Sequence, residues 1–438
     1  MIRTPRNVLL ITIDALRSDE FDPIQNALPS SNTTILNRCI ATGPGTSTAF
    51  PGILTSTYPF EYTGYEEIGQ GRTSVAESLA DAGFDTAGFH SNPLLSRRFG
   101  YDRGFDTFYD SIGSKRRLNG VLRRYAPRAV HDLVKRVYYR VTDHQQLPYD
   151  RAASINARAL NWLETRDSPW FCWVHYMDPH HPYKPPSEYT TLPKERIDRL
   201  WKQLNDNPTE IPDSEVKKLR DLYRAEVEYL ADSLADFFER LEREGLLEET
   251  LVIITADHGE EFRDHGDLLH KPKLHRELVE IPLLLTGECV DESVEVVRPI
   301  SSMDVPTTIL DVVGEETPAS WRGTSILDKA SARSGCFSEL SHTSGGGGEV
   351  RPDRVKVAYR TENWTFIHDR QAGEDRLYDR RKDLSEREDV SEEREYITRK
   401  KRTVVDDHLE NVLGGASGGS NGDLDDSIEE RLADLGYK

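Results

Sequence analysis

Cysteine is scarce, and the four present (Cys39, Cys172, Cys289, Cys336) are scattered with no Cys-x-x-Cys pair. That excludes a zinc framework or a disulfide scaffold and leaves them as small core residues. Long apolar runs are missing as well. None approaches the roughly 20 residues that a bilayer span needs, and no secretory leader precedes the first apolar stretch. The cytoplasm is therefore the expected compartment. Positive charge is also short: 76 Asp and Glu stand against 56 Lys and Arg, a formal net charge of −20. Such a surface repels a phosphate backbone, which excludes a generic nucleic-acid binder. Lysine is sparse relative to arginine, and an acidic, lysine-poor surface suits high salt, where screening makes self-repulsion tolerable. Internal repeats are absent.

What is present begins with enough chain, 438 residues at 37% apolar, for one large α/β domain and a smaller satellite. Two apolar stretches, Asn7 to Ile13 and Leu251 to Ala256, read as buried strands. The first delivers Asp14 at its C-terminal end, and the second delivers Asp257 and His258. Ligands gather where the strands of an open α/β sheet finish, so two carboxylates and an imidazole on one rim form a candidate metal site. Between them Gly43-Pro44-Gly45 makes a turn that opens a short helix at Thr46. A hydroxyl there sits at the positive end of the helix dipole, where anions and alkoxides are stabilised. Thr46, Ser47 and Thr48 serve equally well as N-caps.

Thr73 to Gly83 reads as a capped helix, and Asp85 to His90 as a strand that brings Asn92 to its end, where turn chemistry is the competing use. Asp150 to Thr165 is an amphipathic helix. It leads to a strand from Trp170 that ends in Asp178-Pro179-His180-His181-Pro182. His175 falls inside that strand and reads as a satisfied core residue. Asp213 to Gly245 is a long helix with room for one break. Ile281 to Thr286 is a strand, and Met303 to Gly314 a helix. Six of the thirteen histidines (His180, His181, His258, His265, His270, His275) lie near two loops, which favours function over chance. Residues 113–140 depart from the acidic background. Nine Arg and Lys face a single acid there, either as a solvated helix face or as a basic arm for an anionic substrate or lipid headgroups. Beyond about 330, Ser344 to Gly348 is a loop, and Arg354 to Tyr359 and Asn363 to His368 read as paired strands. A charged stretch runs to about 400, followed by a Gly/Ser linker and a short terminal helix.

Six of these pieces, in this order, resemble the sulfatase family of the alkaline phosphatase superfamily. They are residues 8–14, residues 46–59, Asp178 to Pro182, Thr255 to Glu260 with His265-Gly266, Lys271 ahead of Ile281-Pro282-Leu283, and Leu377-Tyr378-Asp379. The resemblance implies a three-layer α/β/α sandwich with a small C-terminal antiparallel sheet. It divides the chain into a catalytic domain at 1–330 (with 113–148 as a basic insertion), a subdomain at 331–400, and a linker with a terminal helix at 401–438. It implies one divalent metal held by Asp14, Asp257, His258 and the oxygen of Thr46. Thr46 stands where the family carries its nucleophile, and His180 and Lys271 where it contacts the anion. His270 falls where phosphotransferring relatives place a histidine. Asn92, His181 and His265 are candidate substrate contacts.

The departures shift the chemistry. Sulfatases carry Cys or Ser, oxidised to formylglycine, where Thr46 stands, with an Arg nearby that is missing here. They place an Asp where Ala15 stands and an Asn where His258 stands. A threonine ester lacks the hemiacetal route that releases sulfate, whereas water can resolve a threonine phosphoester in line. Two carboxylates, an imidazole and a hydroxyl suit Mn²⁺ or Zn²⁺ better than Ca²⁺. Two-metal relatives need an Asp-x-x-x-His spacing that Asp178-Pro179-His180-His181 does not supply, so one metal is expected. The reading is a metal-dependent hydrolase or transferase of phosphate diesters, as in phosphodiesterases or phosphoglycerol transferases. One alternative is a sulfuric ester hydrolase acting on sulfated glycans or other sulfate esters. Another is a non-catalytic homologue that binds glycan or lipid. The partner is an anionic ester, with peripheral membrane contact through 113–140 open.

Overall fold

The computed structural model describes residues 5–29, 33–63, 67–69, 71–111, 147–167, 169–290, 298–328, 333–341 and 350–414. The basic stretch 113–140, the loop at 344–348 and the expected linker and helix after 414 lie outside them.

The strands of the large sheet are β1 (Asn7–Ile13), β2 (Thr33–Ile40), β3 (Asp85–Phe89), β4 (Thr107–Tyr109), β5 (Trp170–Tyr176), β6 (Thr250–Ala256), β9 (Glu280–Thr286) and β10 (Ile300–Ser301). Their spatial order is β10-β2-β9-β6-β1-β5-β3-β4. β6, β1, β5, β3 and β4 run parallel, so their C-terminal ends share one rim. β9 runs antiparallel to both β6 and β2. Every residue of β1, β5, β6 and β9 is buried, as expected for strands covered on both faces.

Two helix groups supply that cover. In one, α1 (Asp22–Asn26) and α4 (Ala152–Leu163) pack on α6 (Asp213–Arg243). In the other, α2 (Thr46–Thr55), α3 (Val75–Asp81) and α8 (Asp304–Val313) pack together, and the result is a three-layer α/β/α sandwich. α3 opens on a capping box between Ser74 and Glu77. α6 is unbroken over its 31 residues, because its apolar residues keep one stripe from Val216 to Leu241. The four cysteines are buried and free.

The C-terminal sheet is separate and antiparallel, in the order β11 (Cys336–Ser341), β12 (Val355–Arg360), β13 (Trp364–Asp369), β14 (Glu374–Asp379). A helix, α9 (Glu395–Leu413), packs on it. Residues 401–413, expected as linker, are therefore the second half of this helix. Val405, His408, Leu409 and Val412 are buried at helical spacing. No described helix is long and apolar enough to cross a membrane.

Candidate active site

Register alone brings the first three residues together. Ile13 pairs with Tyr176 on one side and Ala256 on the other, so Asp14 and Asp257 leave adjacent strands at the same level. Ala15 then turns the chain at φ 57°, a left-handed conformation that costs a non-glycine residue about 1–3 kcal/mol. Three hydrogen bonds hold it. The Ala15 N–H donates to Asp257 Oδ1 at 3.2 Å, Tyr223 donates its hydroxyl proton to the Ala15 carbonyl at 2.9 Å, and the Arg17 N–H donates to that hydroxyl at 2.9 Å. Where the resemblance sets an acid, this chain has a corner. Behind His258, Gly259 lies so close to the short helix Arg276–Val279, just ahead of β9, that a Cβ would fall 2.0 Å from the Glu277 carbonyl.

Asp14, Asp257 and His258 are fully buried, and their ligand atoms converge. His258 Nε2 lies 3.4 Å from Asp14 Oδ1 and 3.7 Å from Asp257 Oδ2. None of these three atoms has a hydrogen-bond partner. Buried polar atoms are rarely left so, and three pointing at one another is the pattern a bound cation satisfies. The donor set therefore fits a divalent metal. The electrostatics agree. Burial and the charge of Asp14 push Asp257 up to about 6 against the pull of His258. Burial would lower His258, but Asp257 and Asp14 outweigh it and hold the imidazole up at about 10. Burial likewise opposes ionisation of Asp14, yet His180, His175 and His258 hold it below the carboxylate range. The pocket carries a negative field that a proton or a cation must answer.

Thr46 is the first residue of α2, and its Oγ1 lies 3.4 Å from Asp14 Oδ2. The N-cap is Gly45, in an extended conformation, and no side chain caps the helix, so the capping use of Thr46, Ser47 and Thr48 is not realised. Thr48 donates instead to the Gly45 carbonyl at 2.9 Å. A Cβ on Gly43 would meet Thr48 Oγ1 at 2.2 Å, which explains the glycine at the turn. Asn92 has both uses suggested by its position. Its amide donates to Asp14 Oδ2 at 2.8 Å, and its carbonyl accepts from the Leu94 N–H at 2.9 Å.

His180 and His181 stack with ring centroids 4.0 Å apart. His270 lies 5.1 Å from each and 4.7 Å from His258. His180 Nε2 is 4.0 Å from Asp14 Oδ1. Lys271, beside His270, is exposed at the outer edge. His265 does not join this group. Its ring stacks on His275 at 3.7 Å, with Nδ1 against Glu277 at 2.8 Å and Nε2 against the Glu386 carbonyl at 2.9 Å. The turn between β7 (Glu261–Phe262) and β8 (Leu268–Leu269) carries it toward the C-terminal sheet, leaving no ring nitrogen for substrate.

Two residues of the site were missed by the sequence reading. His175 is no simple core residue, because its Nε2 is 3.5 Å from Asp14 Oδ2 and its Nδ1 3.0 Å from the Thr12 hydroxyl. Thr12 and His175 are paired in register, a polar couple one step before the rim of two otherwise apolar strands. Glu260 is buried behind the histidines, facing His270 Nδ1 at 3.2 Å and His181 Nδ1 at 3.7 Å. Its place directly after Asp257-His258-Gly259 was the available signal. Asp178, by contrast, serves the scaffold. It pairs with Arg151 at 2.7 Å and accepts the Ala152 N–H at the start of α4 at 3.0 Å.

Comparisons with known proteins give the family and the fold. The family model described as Sulfatase matches residues 6–315. The low-salt glycan biosynthesis sulfotransferase Agl7 of Haloferax volcanii is 26% identical over 315 residues, covering 71% of this chain and 61% of that protein. Arylsulfatase K of Bos taurus is 26% identical over 207 residues, covering 40% and 38% respectively. The chain thus spans less than two thirds of the length of these curated relatives. The solved phosphonate monoester hydrolase of Agrobacterium radiobacter superposes with a TM-score of 0.68 at 19% identity, covering 94% of this chain and 95% of that one. With the family pattern matched over most of the chain, and its rim residues gathered at one point of the matching fold, the protein belongs to the sulfatase family.

Proposed function

We propose that the protein is a metal-dependent hydrolase or transferase of phosphate diesters that works through a covalent intermediate on Thr46. The observation that carries this reading is the triad of unpartnered ligand atoms on Asp14, Asp257 and His258 with the Thr46 hydroxyl beside them. The mixed oxygen and nitrogen donors suit one Mn²⁺ or Zn²⁺ better than Ca²⁺. A divalent cation there would neutralise a non-bridging oxygen and lower the pKa of the Thr46 hydroxyl.

This chain's own residues do the rest. Thr46 Oγ, its proton released to solvent, attacks phosphorus in line, forming one O–P bond as the bond to the leaving alcohol breaks. The dipole of α2 and His180 stabilise charge on the equatorial oxygens, with Lys271 reaching in from the edge. In this one-cation form His270 gives a proton to the leaving oxygen, then takes one from the water that resolves the phosphothreonine. Asn92 and His175 orient Asp14. His181 flanks the anion.

A second reading, sulfate ester hydrolysis or transfer, is favoured by the names of the relatives, a sulfotransferase of glycan biosynthesis and an arylsulfatase. The haloarchaeal source of the first also fits the acidic, lysine-poor surface. The two readings separate in one assay in molar KCl, with a chromogenic phosphate diester beside the matching sulfate monoester, each with Mn²⁺, Zn²⁺, Ca²⁺ or EDTA. Diester turnover that needs Mn²⁺ or Zn²⁺, and that falls by about 10⁴-fold or more in Thr46→Ala with metal content unchanged, is the expected result. Sulfate release alone would overturn it in favour of the second reading.

A further inference from the structure

Where the sandwich meets the C-terminal sheet, the chain encloses a cavity of about 60 Å³. A water needs roughly 10–15 Å³, so the space takes several waters or one tetrahedral oxyanion. The sandwich lines it with Arg17, Ser18 and Asp19, with Asp264 and His265, and with Arg276 and Glu277. The turn after β14 adds Ser385 and Arg387. Its three carboxylates are already answered. Arg17 pairs with Asp19 at 2.7 Å and with Asp264 at 2.9 Å, and Arg220 meets Asp19 at 3.1 Å. Glu277 faces His265 Nδ1 at 2.8 Å. Two cations are not answered in the same way. Arg276 commits only Nε, to Glu280 at 3.4 Å, and Arg380 already holds that carboxylate. Among the described residues the Arg387 guanidinium has no partner, since only its backbone N–H is engaged, by Asp383 at 2.6 Å. The Ser18 and Ser385 hydroxyls have none there either. The uncommitted charge facing the cavity is therefore positive, and every uncommitted group can donate a hydrogen bond.

We propose that this cavity binds a tetrahedral oxyanion, phosphate or sulfate, clamped between Arg276 of the sandwich and Arg387 of the C-terminal unit, with the two serine hydroxyls as supporting donors. A guanidinium presents a planar fork that fits two oxygens of such an ion. One ion then joins two parts of the chain that are far apart in sequence. Because it binds the folded seam and not the unfolded chain, its occupancy adds directly to stability. None of the residues that line the cavity belongs to the rim or meets Thr46, so the inference does not depend on the reaction proposed there.

Thermal melts of the full chain test this without reference to turnover. The protein is melted in KCl at fixed ionic strength while part of the chloride is exchanged for phosphate or, in a second series, for sulfate. The melting temperature of wild type should rise and then saturate, and Arg387→Ala and Arg276→Ala should each lose the saturable rise. Arg387 is exposed, so its variant carries the test should Arg276→Ala disturb the seam. Both ions also stabilise proteins by exclusion from their surface, but that effect does not saturate and is common to all three proteins. Saturation by only one of the two ions identifies that ion as the ligand. A rise that never saturates in wild type overturns the site. So does a saturable rise that survives undiminished in Arg387→Ala, which would place the ion elsewhere, the rim included. Absence of Thr46-dependent chemistry would sink the proposed function but leave these melts untouched.

Discussion

Two buried clusters of histidine and carboxylate lie on either side of the 260–277 segment, and they handle charge in opposite ways. At the rim, Asp14 and Asp257 have only imidazoles and neutral donors around them. Among the described residues no Arg or Lys pairs with either. At the seam with the C-terminal sheet, Glu386 pairs with Arg360 at 3.1 Å, and Glu280 pairs with Arg276 at 3.4 Å and with Arg380. Arg360 is almost fully buried. A guanidinium is always charged and cannot leave, so the seam is neutralised for good. The rim is left for something that can come and go. The chemistry of the counter-charge, and not the number of histidines, separates the rim from the weld at the seam.

The largest test of that contrast exchanges one carboxylate in each cluster. Asp257→Asn keeps an oxygen for the Ala15 and His258 N–H groups, so the fold should stand while the rim metal and turnover are lost, read by metal analysis and assay. Glu386→Gln should do the reverse. It strips a buried guanidinium of its partner, at a cost of about 3–5 kcal/mol in denaturant unfolding, with metal content unchanged. If both variants lost only stability, the rim would be a second weld. Asn92→Ala is milder. The amide holds Asp14 from behind the ligand set, and removing such a contact weakens metal binding by about 10–100-fold in a competition titration.

The smallest effect lies in the pH dependence of the seam. Burial disfavours the charge on His265, but Glu277 and the Glu386 carbonyl outweigh it and hold the imidazole above its usual value. Its stabilising share is therefore full below about 6.5, the unfolded value, and is lost as pH rises through the raised folded value. The stability gap between wild type and His265→Asn should shrink on moving from pH 6 to pH 9, measured by denaturant melts. A constant gap would mean that His265 acts only by packing.

The rim was legible in the sequence because its logic is local. An apolar run and the acid that follows it are adjacent in the chain, and Gly43-Pro44-Gly45 announces the helix that presents Thr46. The partners across the sheet were less so. His175 looked like core because the strand around it is apolar, and only register against Thr12 reveals its role. His265 looked like His270 because they lie five residues apart. A hairpin separates them, and turns in which Arg263 and Leu269 adopt positive φ decide which way each ring faces. That β9 runs antiparallel could not be read at all, since its run is as apolar as its parallel neighbours.

The strand order also dictates when the site can exist. β2 leads directly to Gly43 and Thr46, yet its sheet neighbours are β9 and β10, which lie more than 230 residues further along the chain. On a ribosome, β2 must wait for its template through most of translation, a non-local closure of the kind that slows folding. Thr46 is thus installed after the strands that bear Asp14 and Asp257 have emerged. A nascent chain stopped before residue 280 would carry the acids of the rim without the strand that sets α2 beside them.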